Sequence, residues 1–246
     1  MIRRQIPNLI TLGNLLCGVL ACNRASIGCL DTAALYICLG IFLDFFDGLA
    51  ARLLKVPSAI GKELDSLADV VTSGVAPCLI LFYLVGDSAT SNNSEWIVYL
   101  SCLAFPMPLF SAYRLAKFNL DTRQSHSFLG LPVPANALIW VGIALYVAPW
   151  NFNSQLDWNP IIQNDIFLIG LIILSLITNV LMISEMPMFS LKFNFKDMSW
   201  KSNGVQYIFL IGCVAIVAIT RQWYAISIII LWYIILSAIT QRKHAE

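Results

Sequence analysis

Apolar stretches long enough to cross a bilayer recur along the whole chain, and no other feature constrains the fold as tightly. With boundaries near 7–23, 32–54, 62–85, 95–118, 132–149, 163–185, 204–220 and 222–240, they number eight. A spanning helix needs about 20 mostly apolar residues, each rising about 1.5 Å. The expected fold class is therefore all-α: a polytopic membrane helical bundle of about eight transmembrane helices. Composition agrees, because 59% hydrophobic and 12% charged residues leave too little charge to cover a soluble surface. Mean hydropathy is +0.76. A net charge of +1 lacks the basic footprint of a nucleic-acid partner.

Lys and Arg positions orient the bundle. With the N-terminus inside, the cytoplasmic face collects Arg3, Arg4, Arg52, Lys55, Lys62, Arg114, Lys117, Arg123, Lys192, Lys196, Lys201, Arg242 and Lys243. Only Arg24 and Arg221 fall outside. Thirteen against two places both termini in the cytoplasm, and an odd number of spans would destroy the separation. The first span carries Asn8, Thr11 and Asn14 and lacks a small-residue cleavage site, so it reads as a retained helix. A prokaryotic cytoplasmic membrane is the expected location, and membrane lipids are the expected surroundings. The seven cysteines lie in or beside spans without a CxxC pair, which suits buried thiols better than disulfides or zinc. One integral-membrane domain, 1–246, is expected.

Against this background the stretch FLDFFDGLAARLLKVPSAIGKELDSLADV, residues 42–70, is anomalous. An ionised Asp in a spanning helix costs about 2.5–3.5 kcal/mol on insertion scales, and here there are four. Asp44 and Asp47 are three apart and share one face of span 2. Asp65 and Asp69 are four apart and share one face of span 3. Between them Pro57, Ser58 and Gly61 supply a turn expected to lay the two helices side by side. Four converging carboxylates call for divalent cations. All-oxygen ligation suits Mg²⁺ or Mn²⁺, and zinc is disfavoured without nearby His or Cys.

The site's depth follows from Arg52, eight residues beyond Asp44 and so about 12 Å along the helix. That puts the carboxylates within the headgroup layer and open to cytoplasmic water. Gly48 and Ala51 leave a groove beside Asp47, and Arg52 offers a rigid guanidinium to phosphate. Metals, groove and arginine together describe a pyrophosphate-bearing, nucleotide-like ligand and phosphoryl transfer chemistry.

Written out, Asp44-x2-Asp47-Gly48-x2-Ala51-Arg52-x8-Gly61-x3-Asp65-x3-Asp69 resembles the signature of the CDP-alcohol phosphatidyltransferases at all eight fixed positions. The resemblance implies a six-helix catalytic core, here about 5–195, with two extra helices at about 204–240, in a homodimer. It implies a CDP-linked lipid whose lipid-bearing phosphate is attacked by an alcohol, releasing CMP. Carried over, Asp44, Asp47 and Asp65 hold metal. Asp69 is the general base and touches a second ion. Gly48 and Ala51 make room for cytidine, Arg52 contacts phosphate, and Gly61 belongs to the CDP-lipid site. Asn8 and Thr11 line one side of span 1 as further nucleotide contacts, with polar glue between helices as the alternative.

Acceptors in that family include serine, glycerol 3-phosphate, inositol or its phosphate, and choline- or ethanolamine-type alcohols. IPNLITLGNLLCGVLA (6–21), RLAKFN (114–119) with FLGLPVPA (128–135), and LMISEMPMFSLKF (181–193) resemble the phosphatidylserine synthase branch. That branch more often has Arg where this chain has Lys117. The residues themselves suit a zwitterion. Arg114 and Lys117, one turn apart, can take the carboxylate of L-serine, with Asn119 as a neutral hydrogen-bonding group. The expected substrates are therefore CDP-diacylglycerol and L-serine. The rival chemistry uses glycerol 3-phosphate or inositol (phosphate) as acceptor. A rival of another class is a divalent-cation transporter using the four aspartates as a permeation site.

Overall fold

The computed structural model describes residues 2–56, 58–91, 95–120, 128–148, 164–189 and 200–242. Pro57, Arg123, Lys192, Lys196 and Lys243 lie outside the described residues, as do most of the connections near 121–127, 149–163 and 190–199. Ten α-helices are described: α1 (Ile2–Ser26), α2 (Leu30–Leu53), α3 (Ala59–Asp69), α4 (Ala76–Ser91), α5 (Glu95–Leu100), α6 (Pro106–Leu120), α7 (Val133–Val147), α8 (Asp165–Ile183), α9 (Trp200–Thr220) and α10 (Ala225–Arg242). Five continuous helices are long and apolar enough to cross a membrane: Gln5–Ser26, Leu30–Leu53, Ala59–Asp87, Asp165–Ile183 and Asn203–Thr220. The chain is an all-α, polytopic integral membrane protein.

The other expected spans differ in form. Val133–Val147 and Ala225–Thr240 are apolar but shorter. The stretch expected as one span at 95–118 is broken into α5, a 3₁₀ turn at Ser101–Ala104 and α6. Pro106 and Pro108 explain the break, since proline lacks an N–H and favours a helix's first turn over its interior.

Local chemistry sets the helix ends that matter. Gly28, at φ +80°, turns α1 into α2, and a Cβ there would fall 2.4 Å from the Tyr83 hydroxyl. Lys55, at φ 55°, follows α2. Ser58 caps α3, its Oγ accepting from Gly61 N at 2.9 Å. This turn reverses the chain as expected, and it brings Asp65 of α3 to Asp44 and Asp47 of α2. Helix α1 packs along both, and α3 also rests on α6. The polar groups of α1 therefore reach aspartates on both helices.

Buried alanines let α1 and α2 approach closely: Ala21, Ala25, Ala33 and Ala34 have no exposed surface. They join a core containing Ile37, Leu81, Met107, Trp140 and Leu168. A second cluster gathers Leu131, Met182, Met188 and Tyr233 beneath a two-residue antiparallel bridge, β1 (Phe128–Leu129) with β2 (Pro187–Met188). Gly130, at φ +73°, is required there, because a Cβ would lie 2.6 Å from the Met182 carbonyl oxygen. The bridge seats the segment before α7 against the end of α8.

Candidate active site

Carboxylate oxygens of Asp44, Asp47 and Asp65 lie within 4.8 Å of one another. Asp47 is buried, and Thr11 Oγ1 donates to its Oδ2 at 2.5 Å. Asp65 Oδ1 is buried with no hydrogen-bond partner. An orphaned carboxylate oxygen beside two further carboxylates fits a hard divalent cation, whose charge would offset their repulsion and satisfy the orphan. Asp69, one turn beyond Asp65, is also buried, and Asn14 Nδ2 donates to its Oδ1 at 3.3 Å. It falls outside the group within 4.8 Å but lies within electrostatic reach of Asp65, Asp47 and Arg114.

Around the cluster the small residues divide into two kinds. A Cβ on Gly48 would meet nothing within 4 Å, so the space over this turn of α2 is open. Ala51 is half-buried on the next turn, and Arg52 is exposed with Nε donating to Gly48 O at 3.0 Å. By contrast, a Cβ on Gly61 would fall 2.9 Å from Ser58 Oγ and 3.2 Å from Asn8 Oδ1. Gly61 thus lets α1 and α3 approach each other. Asn8 is half-buried, its Nδ2 donating to Gln5 Oε1 at 3.4 Å.

Arg114, within electrostatic reach of Asp69, also lines a cavity with Lys117, Phe118, Leu129, Met182 and Ser184. Arg114 is buried, with Nε lacking a hydrogen-bond partner and the guanidinium 5.5 Å from the Phe118 ring centroid. Lys117 pairs with Glu185 at 3.5 Å. Asn119 links two helices. Its Nδ2 donates to Ser66 Oγ at 2.9 Å, and its carbonyl accepts from Lys62 Nζ at 2.9 Å, which ties α6 to α3.

Residues 4–177 match the family model for CDP-alcohol phosphatidyltransferase, well over half of the chain. The chain belongs to the CDP-alcohol phosphatidyltransferase family. It is 37% identical over 151 residues to the CDP-diacylglycerol–serine O-phosphatidyltransferase of Bacillus subtilis (strain 168), covering 61% of this chain and 78% of that one. To the protein of the same name in Helicobacter pylori (strain J99) it is 36% identical over 198 residues, 79% of this chain and 74% of the relative. An archaetidylserine synthase of Methanothermobacter thermautotrophicus is 30% identical over 136 residues, 54% of each chain. The family is known to use divalent metals, and the acidic cluster fits that chemistry.

In this phosphatidyltransferase the sequence reading overlooked two features. Asn14 lies outside the expected site residues, yet it is the α1 residue that donates to Asp69. Its three-residue spacing from Thr11, which puts both on one helix face, is the available signal. A π-helical turn at Val70–Val75 follows Asp69 directly. Thr72 Oγ1 in this turn donates to Asn14 O at 3.1 Å. Gly18 and Gly40 close around it, and a Cβ on Gly40 would lie 2.5 Å from Thr72 Cγ2 and 2.8 Å from Asn14 Oδ1. No residue pattern announces a π turn; only the packing of three helices around Thr72 does.

Proposed function

We propose that this phosphatidyltransferase transfers the phosphatidyl group of CDP-diacylglycerol to the hydroxyl of L-serine, giving phosphatidylserine and CMP. One observation carries the acceptor assignment: buried Arg114, its Nε without a hydrogen-bond partner, lines a cavity and lies within electrostatic reach of Asp69. A buried guanidinium with spare donors suits a carboxylate. The names of the Bacillus subtilis and Helicobacter pylori relatives agree with serine as acceptor.

Asp44, Asp47 and Asp65, with Asp69 at the edge of a second position, would hold two Mg²⁺ or Mn²⁺ ions. When bound, the metal would neutralise the diphosphate and the charge that builds on it during transfer. Thr11 holds the Asp47 carboxylate in place. The open surface over Gly48 and Ala51 accepts the cytidine, Arg52 at the groove's exposed end meets phosphate, and Asn8 and Gly61 shape the groove's α1 side. Asp69, oriented by Asn14, takes the proton from the serine hydroxyl. The hydroxyl oxygen forms its bond to the lipid-bearing phosphorus as the bond from that phosphorus to CMP breaks. Arg114 holds the serine carboxylate, and Lys117 lines the same cavity.

This reading takes 1–246 as one catalytic domain in a prokaryotic cytoplasmic membrane, with the site and both termini facing the cytoplasm. The Lys and Arg distribution supports that orientation. The homodimer implied by the family resemblance belongs to the same proposal and is checked by the mass of the purified protein in detergent. The deciding experiment supplies purified protein with CDP-diacylglycerol and a panel of alcohols and measures CMP release. Serine should support release, and preference for glycerol 3-phosphate or an inositol phosphate would replace the acceptor while leaving the chemistry.

A further inference from the structure

The ion pair between Lys117 and Glu185 sits at the rim of the acceptor cavity. Lys117 lines the cavity from α6, and Glu185 follows Ser184, which lines it from the end of α8. Pairing offsets the charge of Lys117 and leaves Arg114 as the remaining cation of the lining. The rim then carries a carboxylate that is largely exposed to water, at 67% of its side-chain surface.

An amino-acid zwitterion matches this arrangement. Its carboxylate goes to Arg114 and its ammonium faces the rim carboxylate. A phosphate monoester does not match, because its second negative charge meets Glu185, and the second cation of the described lining, Lys117, is already paired with that carboxylate. Discrimination of this kind works by repelling the wrong ligand as much as by attracting the right one.

We infer that Glu185 is a specificity-determining residue that selects zwitterionic acceptors over phosphate-bearing ones by offsetting Lys117 and repelling the extra negative charge. The inference rests on the reading of this cavity as the acceptor site. The bland alternative is a surface ion pair that only fastens the end of α8 to α6, and such exposed pairs stabilise little.

The test measures CMP release from CDP-diacylglycerol and L-serine with glycerol 3-phosphate as competitor, in wild type, Glu185→Gln, Glu185→Asp and Lys117→Gln/Glu185→Gln. In Glu185→Gln the inhibition constant for glycerol 3-phosphate should fall roughly three- to tenfold relative to KM for serine, the scale of a largely exposed charge. KM for CDP-diacylglycerol should hold. Glu185→Asp, which keeps the charge, should keep the wild-type ratio. The double variant restores the cavity's net charge and should return the ratio toward wild type, whereas a lost fastener would not be rescued by removing its partner. An unchanged ratio in Glu185→Gln, or a double variant no nearer to wild type, overturns the inference while serine-dependent release keeps the function intact. Absence of serine-dependent release from the wild type overturns both.

Discussion

Asn14 on α1 donates its side-chain amide to Asp69 across 3.3 Å, while its own carbonyl accepts from Thr72 one turn beyond that aspartate. The asparagine and the carboxylate it orients are thus held by the same π turn. Asn14→Ala should leave CDP-lipid binding intact and lower kcat by roughly five- to a hundredfold, the scale of a lost buried hydrogen bond. Steady-state kinetics with both substrates varied separates this from a folding defect. A change confined to KM for the CDP-lipid would remove Asn14 from the orientation of Asp69.

Asp69 itself should divide binding from chemistry. If it accepts the hydroxyl proton, Asp69→Asn keeps affinity for CDP-diacylglycerol while kcat falls by roughly 10²–10⁴. The check is equilibrium binding of the CDP-lipid beside CMP release. A variant that binds poorly but turns over normally at saturation would make Asp69 a ligand instead of a base.

Clustering of Asp44, Asp47 and Asp65 within 4.8 Å predicts strict metal dependence. Asp44→Asn, Asp47→Asn and Asp65→Asn each preserve volume and remove one charged ligand. Each should remove most activity, require more Mg²⁺ or Mn²⁺ for what remains, and leave the protein inserted and monodisperse in detergent. Undiminished turnover in EDTA would refute the assignment.

Gly48 and Gly40 should respond in opposite ways. A Cβ on Gly48 enters open space, so Gly48→Val should fold normally and weaken CDP-lipid binding. On Gly40 a Cβ collides with Thr72 and Asn14, so Gly40→Val should destabilise the bundle by about 1–3 kcal/mol through overpacking. Thermal unfolding in detergent, read beside CDP-lipid affinity, distinguishes the two. Equal loss of stability in both would close the groove assigned to cytidine.

Arg114 should govern the acceptor. Arg114→Ala is expected to raise KM for serine ten- to a hundredfold, following a partly desolvated charged hydrogen bond of about 1.5–3 kcal/mol. KM for CDP-diacylglycerol should change far less. Serinol, which lacks the carboxylate, should be a poor acceptor even in the wild type. Serinol turning over as well as serine would sink the carboxylate–guanidinium pairing.

Sequence alone carried the membrane class, the acidic signature and the order of the main helices. Each of these depends on local periodicity: apolar length for spanning, three- and four-residue spacing for shared helix faces, Ser58 and Gly61 for the turn between α2 and α3. Local pattern could not supply what depends on a third element. Helix α1 packs on both α2 and α3 and brings Thr11 to Asp47 and Asn14 to Asp69. The π turn exists because Gly18, Gly40 and Gly74 let three helices close on it, a condition spread over distant stretches. Lys117 was legible as a cation, but its pairing with Glu185 required the bridge that seats Phe128–Leu129 against Pro187–Met188. Charges and periodicities are properties of single segments, so the residues write them directly. Which charge meets which partner is decided by packing between segments, and only the tertiary structure decides that.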